Sequence, residues 1–297
     1  MLILISDSFH PSLPDCLRPF GEITDDKSRA AEAEVILVRS KTKVTRDYID
    51  NAPKLRLVIR GGVGLDNIDT VYAKDKGIAV HNTAEASTTA VAELTFALMI
   101  GLANQVIPAH QSMTEGQWIK GKLKRVELNG RTLGILGMGR IGTSLAIRAR
   151  AFRMRILAWH PDVFFSDFAE IRDSLTEVLH ESDFLTMHMP LLDSTRGIIN
   201  KERLAECKDG TFMVNVGRGQ CVVEQDVADA LRSGKLAGYA TDVWNSDPPE
   251  NSPLVGAPNT ILTPHIGAST TENMLRIGSI IEKLIGDYVE RQKISTS

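Results

Sequence analysis

The chain has 297 residues, of which 43% are hydrophobic and 24% charged. That composition belongs to a globular protein rather than a disordered one, and the length allows two domains at ~150 residues each. Its 34 basic against 37 acidic residues leave a formal net charge of -3. This gives no support for nucleic-acid or membrane partners, so any attraction for an anion must be local.

Along the chain, the opening MLILI is too short for a signal peptide and meets Ser6-Asp7 at once. Apolar runs at 2–5, 35–38, 57–59 and 78–80 alternate with helical stretches at 44–51 and 68–76. This pattern predicts a small parallel α/β layer; it carries no phosphate-loop signature. Ser87 or Thr88 caps a helix running to about 102. Its apolar run, Leu94 to Ala103, is about half a membrane span and reads as a buried helix, so a cytoplasmic protein is expected. Residues 103–128 are less regular and carry Trp118 with Lys120, Lys122, Lys124 and Arg125. They read equally well as an arm packing on a second subunit or as a solvated basic loop.

A second α/β unit begins at Asn129-Gly130. Strands are expected at 132–136, 154–159, 184–188, 211–216, 238–243 and 260–263, with helices at 174–180 and 224–232 and a last helix over about 269–291. The alternation describes a doubly wound sheet. Cys16, Cys207 and Cys221 form no CxxC pair, so neither a zinc site nor a disulfide framework is expected, and a reducing compartment suits them.

Between the strand at 132–136 and the next helix lies GMGRIG, which fits GxGxxG with Gly137, Gly139 and Gly142. The first glycine permits the tight turn, the second lets the backbone approach a pyrophosphate, and the third allows close helix–strand packing. The helix N-terminus adds free N–H groups and a partial positive charge. A dinucleotide site is therefore expected. At the end of the second strand, where an acidic residue reads the ribose 2′-hydroxyl in NAD sites, stands His160, followed by Pro161 and Asp162. No arginine stands at that turn, so NAD is the expected coenzyme, with NADP left open.

Three polar residues follow late strands: Arg218 in NVGRG, Asp247 in DVWNSDPP and His265 in TPHIGA. Ligands of doubly wound sheets bind beyond the carboxyl ends of the strands, so the three can converge. Oxidising a secondary alcohol needs a base for the hydroxyl proton, which suits histidine. A carboxylate beside the ring orients it and favours the imidazolium. Arginine can grip a carboxylate with two parallel hydrogen bonds.

With VRSKTKVT, RGGVGLDNID, VAELT, LNGRTLGILGMGRIG, HMPL, NVGRG, DVW and TPHIGAST in order over 38–270, the chain resembles the D-isomer-specific 2-hydroxyacid dehydrogenase family. Within it the likeness is greatest to the D-3-phosphoglycerate dehydrogenases. The resemblance implies a flavodoxin-like substrate domain (1–85 plus 268–297) into which a Rossmann NAD-binding domain (86–267) is inserted. It also implies homodimerisation through an arm near 103–128, hinge closure about crossings near 86–102 and 264–270, and a place in serine biosynthesis. Arg218 then matches the substrate-carboxylate arginine, Asp247 the acidic partner and His265 the acid/base. Cofactor contacts fall on Val63, Gly137, Gly139, Arg140, Ile141, Gly142, His160, Met189, Pro190, Val216, Gly217, Asp242, Gly267 and Ala268, with Asp242 on the nicotinamide carboxamide. Arg39, Arg60, Gly61 and Gly62 join Arg218 and His265 as substrate residues, the first two for a phosphate. The implied substrate is 3-phosphoglycerate or 3-phosphohydroxypyruvate. Glyoxylate, hydroxypyruvate or another 2-oxo acid is an alternative, as is a non-enzymatic, NAD-sensing corepressor-like role or an NAD-binding dimer without turnover. Without a regulatory domain after the last helix, serine feedback of the type such a domain provides is not expected.

The chain departs from the family in carrying Asp247 where glutamate is usual. Aspartate reaches ~1.5 Å less; a backbone shift or a bridging water can restore the contact with His265, the ring loses much of its support if neither occurs, and a lower optimum pH for reduction is expected than in a glutamate-bearing relative.

Overall fold

The computed structural model describes residues 1–296. The chain divides into two compact units, one made of Met1–Ser87 together with the segment from Ala268 onward, the other of Thr88–Gly267.

The first unit carries β1 (Leu2–Ile5), α1 (Leu13–Leu17), β2 (Glu22–Thr24), β3 (Val35–Val38), α2 (Arg46–Asp50), β4 (Leu57–Arg60), α3 (Thr70–Asp75) and β5 (Ala79–Asn82). The sheet order is β2-β1-β3-β4-β5 and all pairs are parallel, which is the flavodoxin-like order. Strand β2 is absent from the sequence reading. Three residues with no buried side chain, at a sheet edge behind Gly21, leave no apolar run to detect. Alternate strand residues face opposite sides: Ile36, Val38 and Val58 pack with Ile49 and Ala73 of α2 and α3. Ile3, Leu37 and Ile59 pack on Leu13 and Leu17 of α1 and on Ile277, Ile281 and Ile285. Those isoleucines, spaced at helical intervals, belong to the last helix, Thr271–Thr296. Each is 0% exposed, and full burial of such a side chain is worth roughly 1.5–3 kcal/mol. A segment more than 180 residues downstream of β5 thus completes this core.

The second unit opens with α4 (Thr88–Ala103) and α5 (Val106–Thr114), then β6 (Thr132–Leu136), α6 (Arg140–Ala151), β7 (Arg155–Trp159), β8 (Glu170–Ile171), α7 (Leu175–Glu181), β9 (Phe184–Met187), α8 (Lys201–Glu206), β10 (Thr211–Asn215), α9 (Glu224–Ser233), β11 (Leu236–Thr241) and β12 (Thr260–Leu262). The C-terminal helix of the first unit is α10. The order β12-β11-β10-β9-β6-β7-β8 is parallel throughout. It is the dinucleotide-binding order with one extra edge strand, and the direction of winding reverses between β6 and β9. One face of the sheet packs against α4 and α6 through Leu98, Met99, Leu102, Leu145, Ala146 and Ala149. The other packs against α7, α8 and α9.

The stretch expected to be irregular contains α5, whose apolar Val106, Ile107 and Met113 are exposed. Without an inward apolar stripe the helix has no period to read. Strand β8, two residues long, and helix α8 also escaped the sequence reading. No single helix among the described residues is long and apolar enough to cross a membrane.

Candidate active site

Gly137 has φ +100, and a Cβ there would stand 3.0 Å from the His188 carbonyl carbon. A Cβ at Gly142 would lie 2.6 Å from the Gly137 oxygen, so α6 could not approach the turn with any side chain at that position. A Cβ at Gly139 would meet nothing within 4 Å. The backbone there faces open space. Gly139 is the N-cap of α6 and gives no side-chain hydrogen bond, whereas α2, α3, α7 and α8 begin with Thr45, Asp69, Ser174 and Asn200 accepting from the first turn. An uncapped helix start beneath a Cβ-free opening fits a pyrophosphate group. At the end of β7 the His160 Nδ1 accepts from the Asp162 backbone N–H at 3.0 Å. In the neutral ring the proton then sits on Nε2, a donor of the kind a ribose oxygen accepts. Met189, Val216 and Gly217 are buried at the ends of β9 and β10, while Arg140 and Pro190 are exposed and Ile141 is half-buried.

Arg218, Asp247 and His265 follow β10, β11 and β12, three neighbours in the sheet. The NVGRG turn is shaped by Asn215, which is 0% exposed. Its Oδ1 accepts from Gly217 N at 3.1 Å and its Nδ2 donates to Arg218 O at 3.0 Å. The half-buried Arg218 donates Nη1 to Gly217 O at 2.7 Å. A Cβ at Gly219 would lie 2.1 Å from the Trp244 carbonyl carbon, so glycine is what lets this turn lie against the loop after β11. Gln220 Nε2 reinforces the contact by donating to Asn245 O at 2.8 Å.

His265 Nδ1 and Asp247 Oδ2 are 2.5 Å apart, with both side chains partly exposed. The carboxylate accepts, so Nδ1 carries the hydrogen and Nε2 is left to take up or release a proton. Of the two routes expected to restore the pair, a backbone shift or a bridging water, the second is not needed, because the contact is direct. The peptide bond from Asp247 to Pro248 is cis.

Residues 96–267 match the family model described as D-isomer specific 2-hydroxyacid dehydrogenase, NAD binding domain. This chain belongs to that family. The glycine turn therefore lies in the matched NAD binding domain. The chain is 40% identical over 295 residues to the D-3-phosphoglycerate dehydrogenase of Methanocaldococcus jannaschii, an alignment covering 95% of the chain and 56% of that relative. The chain thus spans about half the length of such relatives. It is 43% identical over 257 residues to the hydroxypyruvate reductase of Thermotoga maritima, covering 85% of the chain and 84% of the relative. Among solved structures, Aquifex aeolicus D-lactate dehydrogenase, complexed with NAD and lactic acid, superposes with a TM-score of 0.89 at 27% identity over 98% of this chain and 96% of that one.

In the first unit of this dehydrogenase-family chain, Arg39 and Arg60 follow β3 and end β4. Arg60 donates Nη1 to Gly64 O and Nε to Arg39 O at 3.4 Å. Arg39 Nη1 lies 3.4 Å from Ser8 O, and its Nε is buried without a hydrogen-bond partner. Burial pulls the Arg39 guanidinium below its ordinary pKa. Asp7 pins this loop, accepting from Arg39 N at 2.6 Å, Thr42 N at 3.2 Å and Thr42 Oγ1 at 2.7 Å. Burial pushes the Asp7 carboxyl up, but those three donors outweigh it and hold it below the usual range. Gly61 and Gly62 shape the next turn: a Cβ on Gly61 would meet the Phe9 ring, and Gly62 N donates to Thr83 Oγ1 at 3.0 Å. Val63 is exposed and Ala268 half-buried.

Sequence reasoning missed Asn215, Thr263 and Glu224. The asparagine preceding VGRG was the available signal. Nothing local distinguishes the other two from surface polar residues.

Proposed function

We propose that this chain is an NAD-dependent oxidoreductase that interconverts a D-2-hydroxy acid and its 2-oxo acid, with Arg218, Asp247 and His265 as its catalytic residues. The observation that carries this reading is the direct His265–Asp247 pair on an NAD-binding sheet, one strand away from the Arg218 turn. NAD, when bound, supplies or accepts the hydride at C2 of the acid. His265 Nε2 takes the hydroxyl proton as the alcohol is oxidised and returns it to the carbonyl oxygen in the reverse direction. Asp247 fixes the ring through Nδ1 and balances the imidazolium charge. Arg218 holds the substrate carboxylate, which fixes the reacting carbon. Gly137, Gly139, Gly142, Arg140 and Ile141 would hold the pyrophosphate, and His160 would donate to the adenosine ribose.

The substrate this reading favours is 3-phosphohydroxypyruvate or 3-phosphoglycerate. Supporting it are the likeness to the Methanocaldococcus jannaschii enzyme and the buried, unpartnered Nε of Arg39, a donor suited to a phosphate together with Arg60. The likeness to a hydroxypyruvate reductase supports hydroxypyruvate as the second candidate. We further propose a homodimer formed through the exposed apolar side chains of α5 and Trp118, with a site in the cytoplasm.

The test is NADH oxidation with 3-phosphohydroxypyruvate, hydroxypyruvate and glyoxylate. Turnover with at least one is expected. His265→Ala should lower kcat by about 10²- to 10⁴-fold. Arg39→Ala and Arg60→Ala should raise KM for the phosphorylated acid alone. Tight NADH binding without turnover on any of these acids defeats the enzyme reading.

A further inference from the structure

Two buried carboxylates outside the acid/base pair each hold one of the loops that present it. Asp242, at the end of β11, is 2% exposed. Its Oδ1 accepts from the Thr263 hydroxyl at 2.6 Å and from Ile266 N at 2.8 Å, and its Oδ2 from Gly267 N at 2.7 Å. Two of these donors are the backbone amides that directly follow His265. His265 itself has φ +55, a left-handed conformation that is strained for a non-glycine residue and persists only where the surroundings enforce it. A Cβ at Gly267 would lie 2.9 Å from Asp242 Oδ2, so glycine at 267 is what lets this amide reach the acid. The Trp244 indole donates to Thr263 O at 3.1 Å, fastening the same loop from its other side.

Glu224, the first residue of α9, is 7% exposed. Its Oε1 accepts from Asn245 N at 3.2 Å and its Oε2 from the Ser252 hydroxyl at 2.6 Å. These two partners bracket Asp247 in the loop after β11.

We infer that Asp242 and Glu224 are positioning residues: Asp242 clamps the imidazole of His265 and Glu224 the carboxylate of Asp247, so that the two halves meet at one distance. The inference rests on the reading of His265 and Asp247 as the acid/base pair. This task adds to the carboxamide contact that the resemblance implies for Asp242, since three donors leave the carboxylate further acceptor capacity. A carboxylate suits the position because only an acceptor with two oxygens serves both amides. An asparagine offers one oxygen and turns an NH2 group toward an N–H. Such a change leaves one amide unpaired and frees the loop to leave its left-handed turn.

The test compares Asp242→Asn, Glu224→Gln and Thr263→Val with the wild type. Thr263→Val removes one donor and keeps the acid, which guards against Asp242→Asn failing to fold. Amide hydrogen exchange without coenzyme should show lost protection at Ile266 and Gly267 in Asp242→Asn, and at Asn245 in Glu224→Gln. At saturating NADH, kcat should drop by about 100-fold in Asp242→Asn, the scale of a 1 Å misplacement. The fall should be smaller in the other two variants, and in Glu224→Gln and Thr263→Val the Kd of NADH should stay within about threefold of wild type. Unchanged amide protection, or a raised NADH Kd with kcat intact at saturation, overturns the inference. Exchange is measured without turnover, so an inactive wild type would defeat the enzyme reading while still testing the clamps.

Discussion

At the scale of single residues, burial sets the charge state of a histidine outside the acid/base pair. His188 follows β9 in the HMPL segment, and both of its ring nitrogens are buried without a hydrogen-bond partner. Burial pushes its pKa from 6.5 down to about 3, because an imidazolium there has neither water nor a counter-charge. The folded state therefore holds the ring neutral over a range where the unfolded chain binds a proton. Its contribution to stability is complete above about pH 6.5 and is lost as the pH falls from there toward 3. Thermal midpoints measured across that range should fall toward acid, and His188→Leu should flatten the slope by about one proton. An equal slope in the variant would mean that other groups carry the acid sensitivity. The Asp247 residue teaches a related lesson. Side-chain length suggested a gap, yet the backbone of its loop brings the carboxylate to 2.5 Å from His265.

At the scale of elements, glycines set how closely two segments approach. Gly219 in the turn after β10 lies against the Trp244 backbone in the loop after β11, where a Cβ would sit 2.1 Å from the carbonyl carbon. Neither backbone is a flexible side-chain end, so one segment must move. Gly219→Ala should destabilise the protein by about 1–3 kcal/mol, the range for overpacking a tight contact, and should also lower kcat by shifting Arg218 relative to the Asp247 loop. Chemical denaturation and steady-state kinetics on the same variant check both. A variant that loses activity with full stability would place the effect on the turn alone. The sequence shows the glycine in NVGRG. It does not show which strand's loop comes to lie over it.

At the scale of the whole molecule, each unit has its own parallel sheet and its own core on both faces. Among the apolar side chains that neither core absorbs are those of α5 and its neighbour Trp118, which is 78% exposed. Exposed apolar side chains clustered on one segment mark an association surface. Under the homodimer proposed above, sedimentation should give twice the 32.6 kDa chain mass. A double change of Ile107→Asp and Trp118→Glu should give the single mass with NADH binding preserved. A wild type sedimenting as one chain at micromolar concentration rejects the dimer.

The parallel α/β class and the glycine turn could be read from order and spacing, as could the placement of Arg218, Asp247 and His265 beyond the ends of late strands. Apolar periodicity reports burial along one segment, and a tight turn needs specific residues at fixed offsets. Short edge strands such as β2 and β8 could not be read, because two or three half-exposed residues carry no period. Nor could the roles of Asp242, Glu224 and Asn215. Their hydrogen-bond partners, at 266 and 267, at 245 and 252, and in the turn at 217–218, are chosen by which loops the folded sheet sets side by side. A buried acid and a solvated one look alike in a linear chain, and only packing removes the water that separates them.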